Sequence, residues 1–262
     1  MKKRLDRLLV ERALVPTRER AQALILAGRV LVNEQKIDKP GHGVSDDVPI
    51  RMLGSDLRYV SRGGLKLEAA LDHWGTDLTG RFCSDIGTST GGFTDCMLQH
   101  GAAQVLAVDT GYGQIAQTLR DDSRVTLMER TNARLLNPAD LPSGISFVAV
   151  DVSFISATFV LPPVVAALLH GSGSVSDNVR HPSDAVGQAR LEAVILIKPQ
   201  FEAGREHVGK GGIVRDPAAH QLAIERVRGC VAGIGAQNLD VIDSPITGAE
   251  GNREFLLHAI WE

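Results

Sequence analysis

Arg81-Phe-Cys-Ser-Asp85-Ile-Gly87-Thr-Ser-Thr-Gly91-Gly92-Phe93 joins an apolar run to a carboxylate, a glycine-rich turn and the start of a helical stretch. An α/β sheet uses this order to aim backbone N–H groups and a helix N-terminus at a small charged ligand. The spacing is not the dinucleotide pattern G-x-G-x-x-G, because the second glycine falls four residues after the first and a third follows at once.

Outward from this turn, short β-branched or apolar runs alternate with helical stretches: 81–86, 105–109, 125–128, 145–151, 193–198 and 239–242. A last run, 255–261, follows too closely for an intervening helix, so an antiparallel pair is expected. Alternating βα units predict a mostly parallel sheet covered on both faces. The 171–190 segment, rich in Gly, Ser, Asp and Asn, reads as a long loop. The uncharged stretch 152–169 is too interrupted for a membrane span and reads as a buried helix. Open α/β sheets bind ligands beyond the carboxyl ends of their strands. That rule selects Asp85, Asp109, Glu129, Asp151 and Lys198.

The 262 residues are 44% hydrophobic and 23% charged, ordinary for a globular chain with one large domain or a large and a small one. Net charge is −3 but unevenly spread. Residues 1–60 hold 12 Lys/Arg against 8 Asp/Glu; the other 202 hold 16 against 23. A basic N-terminal part on an acidic body predicts a local anion-binding surface. Cys83, Cys96 and Cys230 lack C-x-x-C spacing, which argues for a reduced compartment and no metal site. The charged N-terminus has no apolar run behind it, so no secretory signal is read. The expected location is the cytoplasm.

In residues 1–57, Leu5, Leu8, Leu9 and Ala13 share one helical face. Thr17 can cap a second helix bearing Ala21, Leu24 and Ile25, which Gly28 stops, and Val30-Leu-Val-Asn33 begins a strand. Arg7, Arg18, Arg20, Arg29 and Lys36 form either a phosphate-binding surface or a solvated basic face. Arg18-x-x-Ala21-x-x-x-Ile25-x-x-Gly28-x-Val30-x-Val32-Asn33, with Lys39-Pro40 and Val48-x-Ile50, resembles the S-four-type RNA-binding domain. Glu34 and Gln35 stand where that family often has glycine.

Asp85-x-Gly87-x-x-x-Gly91-Gly92-Phe93 resembles the cofactor loop of S-adenosylmethionine-dependent methyltransferases. The resemblance implies a Rossmann-like methyltransferase sheet with a terminal antiparallel strand, plus the small N-terminal α+β domain. Asp109 would accept the ribose hydroxyls of the cofactor, and Asn132 would lie near the adenine; either could instead cap a turn. Phe93, inside the loop, is most simply a packing residue, as is Cys83.

Attack through a ring carbon needs a cysteine nucleophile in a loop, and none of the three cysteines is so placed. The Asp/Asn-Pro-Pro-aromatic motif of exocyclic amine methylation is absent, because 151–154 reads Asp-Val-Ser-Phe. Lys66, Asp151, Lys198 and Glu254 occupy the pattern of FtsJ-type ribose 2′-O-methyltransferases. A lysine serves as base only when its surroundings favour the neutral amine over the reference value of about 10.4, and Lys198 ends the apolar run Val-Ile-Leu-Ile. In the pattern Asp151 orients Lys198, Lys66 holds the hydroxyl or a phosphate, and Glu254 fixes Lys66. Singly, each lysine could equally be a solvated strand or helix end.

Ser61-Arg62-Gly-Gly-Leu-Lys66-Leu, Asp151-Val-Ser-Phe-Ile-Ser, Ile197-Lys198-Pro-Gln-Phe-Glu202, Gly209-Lys210-Gly-Gly-Ile-Val-Arg215-Asp216 and Gly251-Asn-Arg-Glu254-Phe255 extend the likeness over the chain. Together they resemble the TlyA family, rRNA cytidine 2′-O-methyltransferases often labelled haemolysins. The family departs here at Tyr59, where some members carry a linker tryptophan, and in the longer 171–190 loop. The implied organisation is an RNA-binding domain over 1–57, a linker over 58–64 and a methyltransferase domain over 65–262. The implied partners are ribosomal RNA or ribosomal subunits; no membrane and no protein partner is implied. Lys210 and Arg215 would contact phosphate or be plain loop residues. Two other functions are weighed: a non-catalytic RNA-binding assembly factor, and a membrane-lytic protein, which the lack of a long basic amphipathic helix disfavours.

Overall fold

The computed structural model describes residues 2–12, 14–15, 17–53, 58–171, 190–248 and 250–262. Ala13 and most of the 171–190 loop therefore lie outside the described residues. The chain divides into two compact units, Met1–Arg58 and Tyr59–Glu262.

The first unit contains β1 (Lys2–Arg4), α1 (Leu5–Glu11), α2 (Arg18–Leu26), β2 (Val30–Val32), β3 (Gln35–Lys36), β4 (Gly43–Ser45) and β5 (Ile50–Met52). Leu5, Leu8, Leu9, Ala21, Leu24 and Ile25 bury the facing helix stripes in one cluster with Val30 and Val32. Thr17 caps α2 by accepting the Arg20 N–H, and Gly28 ends it in the left-handed region at φ +65°. The β2–β3 turn places Asn33 and Glu34 at φ +50° and +62°, the two-residue hairpin geometry that favours glycine. Glu34 tolerates it beside Arg51, with which it pairs at 2.5 Å.

In the second unit α3 (Gly63–Trp74) precedes β6 (Phe82–Ile86), α4 (Gly92–Gln99), β7 (Gln104–Val108), α5 (Gln117–Arg120), β8 (Val125–Met128) and β9 (Ile145–Val150). Then come α6 (Leu161–Gly171), β10 (Leu191–Ile197), α7 (Pro199–Glu202), α8 (Pro217–Gly233), β11 (Gln237–Asp243) and β12 (Phe255–Trp261). The seven strands lie in the order β11-β12-β10-β9-β6-β7-β8. Five are parallel, and β12 inserts antiparallel between β10 and β11. The expected α/β fold is therefore observed, with its antiparallel pair.

Alternation along the strands feeds two cores. Leu191, Ala193, Ile195 and Ile197 meet α6 and α8, whereas Val194 and Leu196 join Leu67, Phe93 and Met97 of α3 and α4. Tyr59, placed in the 58–64 connection on sequence, is 2% exposed within this second unit. The 152–169 stretch is helical only from Leu161. Pro162 and Pro163 lack N–H groups and are tolerated in a first turn, so the helix starts there and 152–160 remain a loop with one 3₁₀ turn. No helix among the described residues is long and apolar enough to cross a membrane.

Candidate active site

The turn after β6 is shaped by close approach. Gly87 has φ +89°, and a Cβ there would lie 2.5 Å from the Asp151 carbonyl oxygen. Gly91 at φ +94° precedes α4. Asp85 is fully buried. One carboxylate oxygen accepts the Thr94 N–H (3.0 Å) and hydroxyl (2.6 Å), while the other has no hydrogen-bond partner. Burial, assisted by Asp151 and Asp109 and opposed by Thr94, pushes this carboxyl up to about 7. Asp85 lines a pocket of about 220 Å³ with Ser61, Arg62, Lys66, Gly87, Gly92, Phe93 and Asp151. An orphaned carboxylate oxygen there suits a cationic amino group.

At Gly87, Ser89 and Asp151 this pocket shares its lining with a larger cleft of about 570 Å³, also lined by Asp109, Asn132, Arg134 and Phe154. Asp109, just past β7, accepts the Ser89 N–H at 2.7 Å and the Gly111 N–H at 2.6 Å, one on each oxygen. Each oxygen retains a lone pair for a ligand hydroxyl. Asn132 caps the 3₁₀ turn 133–135 while lining the cleft, so both of its expected roles are compatible. Glu129 is committed to the Gly113 N–H and Arg120.

Strand register assembles the ionisable residues. Val150 pairs with both Ile86 and Ile195, and Ile197 pairs with Phe255. Gly87, Asp151, Lys198 and Glu254 therefore emerge together at one end of the sheet. Lys198 Nζ lies 2.5 Å from Asp151 Oδ1 and donates to Ser153 Oγ at 2.7 Å. Lys66 Nζ, from the first turns of α3, donates to Glu254 Oε2 at 2.5 Å. Both lysines are 8% exposed, so each ammonium is largely removed from water and held by a carboxylate. Glu254 packs against Gly248: a Cβ on Gly248 would fall 2.5 Å from its Oε1.

A glycine turn, a buried carboxylate and two lysine–carboxylate pairs thus gather at one end of the β11-β12-β10-β9-β6-β7-β8 sheet. The FtsJ-like methyltransferases match over residues 59–260. The chain belongs to the FtsJ-like methyltransferase family. An S4 domain matches residues 3–48. A Bacillus subtilis protein, YqxC, is 49% identical over 99% of this chain and 86% of its own. The 16S/23S rRNA (cytidine-2′-O)-methyltransferase TlyA of Mycobacterium tuberculosis is 39% identical over 97% and 88%. A solved structure from Streptococcus thermophilus superposes with TM-score 0.70 at 41% identity, covering 99% of this chain and 88% of that one.

In this FtsJ-like domain the pocket and cleft together are lined by Lys66, Asp85, Gly87, Gly92, Phe93, Asp109, Asn132 and Asp151, with Lys198 and Glu254 bonded to members of the set. Phe93 lines the pocket yet is 2% exposed, consistent with packing. Gly91 faces Ile115 and Leu119 instead. Lys210 and Arg215 are exposed on the 209–215 loop and line neither cavity. In the S4 unit Arg7, Arg18 and Lys36 are exposed and Arg20 and Arg29 half-buried. Arg18 pairs with buried Asp6 at 3.0 Å, and Arg29 donates to the Leu53 carbonyl, so both also hold the fold. Sequence reasoning gave no role to Thr94, Ser153 or Phe154. Phe154 is 92% exposed at the cleft, with φ +64° and its ring 5.6 Å from Phe201. Their signal was adjacency to the glycine turn and to Asp151.

Proposed function

We propose that this protein transfers a methyl group from S-adenosylmethionine to a ribose 2′-hydroxyl of ribosomal RNA, at a cytidine as in its TlyA relative. The observation that carries this is the double pair Lys198–Asp151 and Lys66–Glu254 beside the glycine turn. Asp85 would receive the cofactor's amino group on its unpaired oxygen, and Asp109 its ribose hydroxyls. Gly87, Gly91 and Gly92 would keep the turn open, and Asn132, which lines the cleft, would contact the base. When bound, S-adenosylmethionine supplies an electrophilic methyl on a sulfonium, which departs as a thioether.

Lys198 takes the proton from the ribose hydroxyl as the new O–C bond forms. Asp151 holds the amine and its charge. Lys66, fixed by Glu254, binds the hydroxyl oxygen or the neighbouring phosphate. Alignment supplies much of the acceleration, because a ribose hydroxyl is a weak nucleophile and a weak acid. Arg7, Arg18, Arg20, Arg29 and Lys36 of the S4 domain, with Lys210 and Arg215, would contact phosphates. The proposed activity would be exercised in the cytoplasm, on an rRNA or a ribosomal subunit as partner. The domain organisation inferred from sequence goes with this function: RNA binding by residues 1–57, catalysis by 65–262.

Incubation of unmodified ribosomal subunits with protein and tritiated S-adenosylmethionine tests the proposal. Label enters rRNA with the unaltered protein and falls at least about 1,000-fold with Lys198→Ala or Asp151→Ala. Equal, background-level labelling by all three proteins would leave only the RNA-binding assembly factor.

A further inference from the structure

Lys198 Nζ donates a hydrogen bond to Ser153 Oγ at 2.7 Å and forms an ion pair with Asp151 Oδ1 at 2.5 Å, outside hydrogen-bond geometry. An amine nitrogen is tetrahedral. With the Cε–Nζ bond and the N–H direction to Ser153 fixed, the other two directions are set in space for a proton or a lone pair. The ion pair alone lacks a hydrogen bond's directionality and leaves rotation about Cε–Nζ free.

We propose that Ser153 is a positioning residue: its hydrogen bond locks rotation of the Lys198 amine, which Asp151 holds by charge, so that a free tetrahedral direction meets the ribose hydroxyl. This rests on the assignment of Lys198 as the group that receives the hydroxyl proton.

The loop carrying Ser153 is anchored at both ends. At its start the Asp151 N–H donates to the Ile86 carbonyl at 2.9 Å, and the Asp151 carbonyl sits over Gly87. At its end the buried Glu202 carboxylate accepts the Ser156 hydroxyl at 2.5 Å and the Ala157 N–H at 2.7 Å. Between them the Phe154 ring meets Phe201. Lys198 and Glu202 both belong to the β10–α7 junction, so hydrogen bonds tie the two chain segments at Ser153 and again at Ser156 and Ala157. Ser153 is thereby held by the fold and not by the lysine alone. Lys66 cannot take over its task, being engaged by Glu254. Arg62, Lys66, Asp85 and Asp151 are the charged groups lining the neighbouring pocket; Ser153 is neutral and adds no charge at Lys198.

Steady-state kinetics of the full-length protein on unmodified ribosomal subunits, varying each substrate, tests this. Ser153→Ala lowers kcat about five- to tenfold, the effect of one hydrogen bond that aligns a reacting group, and leaves both KM values and the Tm unchanged. Ser153→Thr, which keeps the hydroxyl, returns kcat to within about twofold of the unaltered enzyme. A wild-type kcat for Ser153→Ala, a loss carried by KM, or equal impairment of the Ala and Thr variants would overturn the proposal. Lys198→Ala measured alongside separates the two assignments. If it keeps full activity, the role of Lys198 fails. If it is inactive while Ser153→Ala turns over normally, only the role of Ser153 fails.

Discussion

Asp85→Asn should move stability and cofactor binding in opposite directions. The carboxyl is fully buried, and desolvation raises it to about 7 from an ordinary 3.8. A raised folded value means that its contribution to stability is complete below pH 3.8 and is lost as pH rises through 7. Above pH 7 the ionised group costs on the order of 4 kcal/mol. Asparagine has the same shape and does not titrate, and its oxygen can keep both Thr94 bonds. Its NH₂ then faces the pocket unpaired, which takes back about 1–3 kcal/mol. The remaining gain of about 1–3 kcal/mol corresponds to a Tm rise of roughly 2–10 °C for a unit of this size. The rise grows between pH 4 and 7 and levels off above. S-adenosylmethionine loses a charge-assisted bond of about 1.5–3 kcal/mol, so its Kd rises roughly 10- to 150-fold. Thermal unfolding without cofactor from pH 5 to 9 and calorimetric titration at pH 8 give both numbers. Unchanged cofactor affinity, or a variant less stable than wild type at pH 8, would refute the reasoning.

Phe154→Ala removes an exposed ring that lines the cleft with Asp151 and can stack on a substrate base. The KM for ribosomal subunits should rise about tenfold with unchanged cofactor Kd, the scale of one base–aromatic stack. In the first unit Asp6 is the common acceptor of Arg4, Arg18 and Gln22. Arg4, then Gln22 and Arg18, hold its carboxyl well below the usual range against desolvation. Its contribution is therefore present above pH 3.8 and lost as pH falls below, and Asp6→Ala should lower the Tm of residues 1–58 by roughly 5–10 °C at pH 7, read by circular dichroism. Removing residues 1–57 should abolish the salt-dependent part of RNA binding, measured by filter binding from 50 to 300 mM salt, while S-adenosylmethionine affinity stays within about twofold.

The parallel sheet was legible because each strand is a short apolar run ending in an ionisable residue, and Asp85, Asp109, Asp151 and Lys198 mark those ends. Their convergence needed more than spacing. Asp151 and Lys198 are distant in sequence and meet because β9 and β10 are parallel neighbours in register, while Glu254 joins them through the antiparallel β12. Resemblance supplied that grouping; composition and periodicity alone left each lysine ambiguous. Hydrogen-bond partners were not legible. Nothing in the local pattern says that Thr94 satisfies one oxygen of Asp85 and leaves the other bare, or that Ser153 reaches Lys198. The start of α6 was misjudged because the uncharged run 152–169 carries no polar punctuation as strong as the two prolines, whose missing N–H groups fit a first turn. Tyr59 reads as part of a connection beside charged neighbours, yet its ring covers Gly64, where a Cβ would come within 2.3 Å of it.

The central claim is that the oxygen methylated is a ribose 2′-oxygen of rRNA, with Lys198 and Asp151 at the reacting centre. Nucleoside mass spectrometry of rRNA from subunits treated with the protein and S-adenosylmethionine tests it most directly. A 2′-O-methylcytidine that appears with the unaltered protein and is missing with Lys198→Ala is the predicted result. A methyl group on the base, or a ribose methyl formed equally well without Lys198, would contradict the account.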